Sequence, residues 1–243
     1  MRLTPLTTAA AFAALLAGAP QAHATLQISG LVGGIAVQCA DQDLTCDTNP
    51  VFGQLATADT TLAGVQFIGS SQTQIVGGTF NKLDTSSFQI INNSGGSVAI
   101  QLAVSGTDFA APTSIYSASG GGTFETAAGS TITMQFYADA NNAQGADTPT
   151  DAPGSLLFTA NHTALPLTDT FSINSGTLPL AETGPFSMTL LAAGTLTDGG
   201  SLVGRTQALV TDVTAIPEPG TLALLGGALL GFVALRRQIT PRA

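Results

Sequence analysis

Tryptophan is absent from this 243-residue chain, tyrosine occurs twice, and Lys and Arg together number six. Each shortage removes a class of function. Clefts that hold sugars usually carry aromatic platforms, and only Tyr116 and Tyr137 are available as tyrosines for that purpose. Two histidines, His23 and His162, and two cysteines supply no cluster of zinc-ligand spacing. No G-x-S-x-G elbow occurs, so a Ser-His-Asp site has only His162 to build on once His23 leaves with a processed segment. No catalytic constellation is legible, and the expectation is a non-enzyme.

Positive charge is scarcest in the middle of the chain. Between Thr25 and Ala215 the only bases are Lys82 and Arg205, against fourteen acids, giving that region a net charge of −12. A surface this negative repels phosphate backbones and anionic lipid, so nucleic acid is excluded as a partner. Cations and neutral sugars remain compatible with it.

Hydrophobic residues make up 44% of the chain, but part of that fraction sits at its two ends. Residues 1–24 have the form of a secretory signal peptide. Arg2 supplies a positive start, "AAAFAALLAGA" an apolar stretch, and "AHA" the small-x-small site that places cleavage after Ala24. Export by the Sec machinery is the expectation.

Residues 25–215 carry an all-β pattern. "SVAIQLAV" puts Val98, Ile100, Leu102 and Val104 on one face. "STITMQFYA" does the same with Ile132, Met134 and Phe136, "TFSINSG" with Phe171 and Ile173, and "PFSMTLL" with Phe186, Met188 and Leu190. Period-2 alternation predicts strands with one buried face, and the Val, Ile, Thr and Phe content agrees. "NNSGGS", "SASGGGT", "DANNAQGADTPTDAPG" and "TDGGS" are expected to be the turns between them. No amphipathic helical pattern interrupts the series. The predicted ectodomain is an antiparallel β-sandwich or jelly roll.

Cys39 and Cys46 are the only cysteines. An even count in an exported domain predicts a disulfide between them, worth roughly 2.5 kcal/mol on the loop-entropy model. The acids between and beside them, Asp41, Asp43 and Asp47, fail the EF-hand pattern, because Cys46 and Phe52 occupy the places of its Gly and Glu. They read as the solvated tip of a hairpin. In "DANNAQGADTPTD", Asp139, Asn141, Asp147 and Asp151 are weak candidates for calcium. They have the right oxygen chemistry but match no ligand spacing, and such residues are ordinary loop formers. No cofactor is expected, with calcium the one alternative. His162, in "TANHTALP", is expected in a loop.

The chain ends with "IPEPGTLALLGGALLGFVALRRQITPRA". Pro217, Glu218 and Pro219 form a stiff extended tripeptide. Thr221 to Leu235 is uncharged and, as a helix, reaches about 22 Å, against about 30 Å for a bilayer's hydrocarbon core. Arg236 and Arg237 would hold its end at the cytoplasmic face. Such a short transmembrane segment suits a transient stop that is recognised and then removed.

In its three-part order this tail resembles the PEP-CTERM sorting signal of Gram-negative bacteria. Pro217, Glu218 and Pro219 match the name-giving tripeptide, Thr221 to Leu235 the Leu/Ala/Gly-rich span, and Arg236 and Arg237 the basic cluster. The end "QITPRA" departs from the pattern by being longer and less basic. The resemblance covers about a tenth of the chain. It implies an exosortase as partner, a membrane-embedded cysteine transpeptidase that cleaves near the motif. It also implies a route from transient membrane insertion to the cell surface or an exopolysaccharide matrix. The expected organisation is thus a signal peptide (1–24), a β-sandwich ectodomain (25–215) and a sorting signal (216–243). The expected role is a structural or adhesive protein of a biofilm matrix. The alternative is a carbohydrate-binding or weakly carbohydrate-active module with extracellular polysaccharide as partner.

Overall fold

A computed structural model describes residues 25–32, 34–75, 80–110 and 115–211. The signal peptide with its site after Ala24, the tripeptide Pro217, Glu218 and Pro219, the span 221–235 and the pair Arg236 and Arg237 lie outside the described residues. The alternating runs become strands, and the described residues contain no helix. In order the strands are β1 (Leu26–Val32), β2 (Ile35–Ala40), β3 (Gln54–Thr57), β4 (Thr60–Leu62), β5 (Val65–Ile75), β6 (Phe80–Asn92) and β7 (Val98–Phe109). There follow β8 (Ile115–Glu125), β9 (Thr131–Asp139), β10 (Ser155–Thr163), β11 (Thr168–Pro179), β12 (Phe186–Leu196) and β13 (Ser201–Thr211).

Two antiparallel sheets result, with orders β10-β9-β12-β7-β1-β2 and β11-β8-β13-β6-β5-β3, β4 pairing with β5. Within them, β7-β12-β9-β10 and β6-β13-β8-β11 are the two four-strand layers of a jelly roll. The hairpin β1-β2 widens the first layer beyond β7, and β3 to β5 widen the second beyond β6. Between the layers the expected core residues are buried: Ile100, Leu102 and Val104 from β7, Ile132, Met134 and Phe136 from β9, Phe186, Met188 and Leu190 from β12, and Phe171 from β11.

Two expectations about the strands fail, each for a packing reason. "SASGGGT" is no turn but the middle of β8, paired on both sides by β11 and β13. Its glycines answer to the opposite layer and to neighbouring rings. A Cβ on Gly120 would lie 2.7 Å from Met134 Sδ, and one on Gly122 3.1 Å from Phe171 Cε1. Gly204, opposite Gly122 on β13, likewise leaves room for the Phe88 ring, at 2.6 Å from its missing Cβ. Aromatic rings thus lie over bare backbone where a strand would ordinarily show side chains.

The second failure is the one-faced burial expected of "PFSMTLL". Ser187, Thr189 and Leu191 on the other face of β12 are buried too. The segment 140–154 folds back over that outer face and closes a small second core of Ala103, Ala146 and Leu191, against which Tyr137 packs. Gly145 seats the flap, its amide donating to Ser105 Oγ at 3.1 Å. Gln27 Nε2 holds the next residues, donating to Ala146 O and Asp147 Oδ1 at 3.2 Å each. A Cβ at Gly145 would stand 2.8 Å from Pro153 Cδ and 3.0 Å from Ser105 Oγ, with Thr189 Oγ1 nearer still. Gly145→Ala is therefore expected to lower the unfolding free energy by roughly 1–3 kcal/mol through overpacking. Thermal melts would read this as a fall in Tm, and an unchanged Tm would show that the flap does not press on the sheet.

Candidate functional site

Four places in the sandwich concentrate polar or accessible chemistry. The first is the disulfide loop. Cys39 and Cys46 are bonded, with Cα atoms 5.8 Å apart, as the sequence predicted. The acids around them are not a solvated tip. Asp47 is buried, and its carboxylate accepts from the backbone amides of Gln42, Asn49 and Ala56 at 2.9–3.0 Å. Asp41 accepts from the Gly53 amide at 2.7 Å. Only Asp43 stays at the surface, where the hydroxyl and amide of Thr45 hold its carboxyl below the ordinary carboxylate value. The sequence hid this because the amides that Asp41 and Asp47 satisfy lie up to twelve residues away.

The second is the flap containing the weak calcium candidates. Asp139 is buried and accepts from the amides of Asn141 and Ala143. Asn141 Nδ2 donates to the same carboxylate. Asp147 accepts from Gln27, and Asp151 from the Asp147 amide at 3.4 Å. Asp139 and Asp151 thus close their own loop, while Asp147 ties it to β1. Among the described residues no three His, Cys, Asp or Glu side chains are grouped to hold a metal ion.

The third is His162, which is not in a loop. It lies on edge strand β10 with its ring on the inner face, since its partner across the ladder is the buried Ile132. Nε2 stands 2.7 Å from Asp169 Oδ2 on β11, the edge strand of the other sheet. The ring stacks on Phe171 at 4.6 Å between centroids and on Phe124 at 6.1 Å. Asp169 also accepts from the Leu165 amide at 2.9 Å. That amide first, and His162 second, hold its carboxyl below the ordinary value. The arrangement is an inter-sheet clasp at one side of the sandwich.

The fourth is a shallow depression outside the second sheet, where Gly121 lies between Ser172 and Arg205 in the ladder. Of the two bases, Lys82 pairs with Asp84 at 2.6 Å, while Arg205 is exposed and, among the described residues, forms no ion pair. Neither tyrosine faces this depression. Tyr116 is wholly buried, burial pushing its phenol well above the ordinary value, and Tyr137 packs under the flap.

These features define an all-β sandwich with one disulfide, its acids largely turned to structural use. The comparison with known families names the tail. The family model of the PEP-CTERM protein-sorting motif matches residues 215–238, and the chain thus carries a PEP-CTERM sorting motif at its tail. No curated protein matches it. Among solved structures, TmCBM61 in complex with β-1,4-galactotriose is 11% identical over 69% of this chain and 92% of its own, with a TM-score of 0.32. The family 11 carbohydrate-binding module from Clostridium thermocellum, in complex with a mixed-linked tetrasaccharide, is 11% identical over 68% and 93%, with a TM-score of 0.27. Likenesses this faint carry no argument.

The clasp makes a pH prediction. A carboxyl whose folded value is depressed contributes stability that is complete above its unfolded value and is lost as pH falls through the folded one. Asp169→Asn should therefore lower Tm at neutral pH. The deficit relative to wild type should persist down to about pH 4 and shrink below it as Asp169 itself protonates. Melts of both proteins across that range decide it. A constant deficit at every pH would assign the loss to packing alone.

Proposed function

We propose that this protein is an exported, non-enzymatic component of the cell surface or exopolysaccharide matrix of a Gram-negative bacterium, with a structural or adhesive role. In this reading the Sec machinery exports it, the C-terminal span holds it briefly in the membrane, and an exosortase cleaves near Pro217, Glu218 and Pro219. The observation that carries the reading is the sorting motif at residues 215–238. It begins just after β13, which ends at Thr211.

The rest of the domain supports a non-catalytic role. His162 is spent on a clasp with Asp169, and the carboxylates of Asp41, Asp47 and Asp139 are spent on loop amides. A carbohydrate-active module would be favoured by a groove joining carboxylates with a tyrosine. Tyr116 is wholly buried, and Tyr137 is half-buried against the small second core.

The tail supplies the test. Intact mass measurement of surface protein should give a species that starts at Thr25 and lacks everything from roughly Pro219 onward. Alanines at Pro217, Glu218 and Pro219 should leave insertion intact and trap the full-length form in the membrane fraction. Recovery of the "LRRQITPRA" end on released wild-type protein would sink the reading.

A further inference from the structure

The side of the sandwich opposite the clasp is not sealed. There β1 and β2 face β4 and β5 across a cleft of about 370 Å³, within the range of small-molecule pockets. Ile28 and Leu102 form one wall, and Val65, Phe67 and Ile90 the other. The inner face of β2 runs past the opposite sheet, leaving Val37 41% and Ile35 42% exposed on a face that strand alternation assigns to the core. Leu44, 88% exposed, overhangs the mouth from the disulfide loop.

We propose that this cleft binds a single aliphatic chain carrying an uncharged, hydrogen-bond-donating head group, of which a long-chain alcohol is the simplest example. The apolar walls select the chain, and the rim selects the head. Thr45 Oγ1 donates its proton to Asp43, Thr48 Oγ1 to Ala56 O and Thr60 Oγ1 to Ala58 O, at 2.7, 2.9 and 3.3 Å. Each of these hydroxyls has only acceptor lone pairs left for a ligand. Among the described residues no Lys or Arg lines the cleft, so a carboxylate head finds no counter-ion there and would be desolvated beside apolar walls. Asp47, the one acid in the lining among the described residues, is already engaged by three amides, and desolvating an ammonium beside apolar walls is costly. An uncharged donor is what remains.

The chain contains no Trp, so Leu44→Trp places a single tryptophan at the mouth, read by excitation too long in wavelength for Tyr116 and Tyr137. The test uses the protein as exporting cells release it, titrated without detergent. Decanol should shift the Trp emission to the blue and saturate, with an affinity roughly tenfold or more above those of decanoate and decylammonium. Two blocking changes check the location. Val37→Phe adds bulk at an exposed wall position. Gly30→Val places a side chain where a Cβ meets only Val37 Cγ2 at 3.3 Å and Gln101 O at 3.6 Å. Either blocker, if folded by its melt, should weaken decanol binding by roughly tenfold. Equal or tighter binding of either charged analogue, a response that never saturates, or indifference to a folded blocker would each overturn the proposal. So would a concentration-dependent dimer that the blockers dissolve, since the occupant would then be a second copy of the chain.

Discussion

A sandwich of two sheets has two open sides, where inner faces meet water unless something closes them. How this protein treats those sides decides most of what is chemically distinctive about it. On one side the edge strands β10 and β11 belong to different sheets, and no backbone ladder joins them. The His162–Asp169 bond crosses the gap instead, with the imidazole laid on Phe171 and Phe124 so that a polar pair sits inside an aromatic wall. On the other side no comparable bridge exists between β2 and β3 among the described residues. The disulfide loop arches over that opening, tied down by Asp41 and Asp47, and the cleft lies beneath it.

The same economy explains the acids. In a domain with only two bases, carboxylates cannot be neutralised mainly by ion pairs, and the described ion pairs are Lys82–Asp84 and His162–Asp169. Backbone amides take the place of cations. Asp41, Asp43, Asp47, Asp139 and Asp169 each accept at least one main-chain N–H. Charge-assisted bonds of this kind are stronger than neutral ones and hold a loop without a long flexible partner side chain. Loop order is thus obtained from residues that a composition count would class as surface charge.

The strands of the core were legible in the sequence because period-2 alternation is local. Val98, Ile100, Leu102 and Val104 declare their shared face without knowledge of what covers it, and the two cysteines declare their bond by number and setting. What escaped depends on distant partners. Gly120 and Gly122 resemble turn residues until Met134 and Phe171 are seen lying against them. The second buried face of β12 depends on a flap whose residues belong to another connection. His162 gives no sign of its role, because Asp169, although seven residues away, reaches it only after the chain has crossed between sheets. The cleft was hidden for the converse reason. "IAVQC" alternates like any half-buried strand, and nothing local records that the facing sheet stops short of Ile35 and Val37.

Strand order also bears on how a removable tail is compatible with the fold. β13 lies between β6 and β8 in the middle of its sheet, and its ladder with β6 joins residues more than a hundred positions apart. The second sheet cannot close until β13 is present, so the domain depends on nearly all of its sequence as far as Thr211. A cut within residues 215–238 would fall after Thr211, the last residue of β13, and so spare every ladder pair of that strand, whereas a cut before Thr211 would take the end of a central strand.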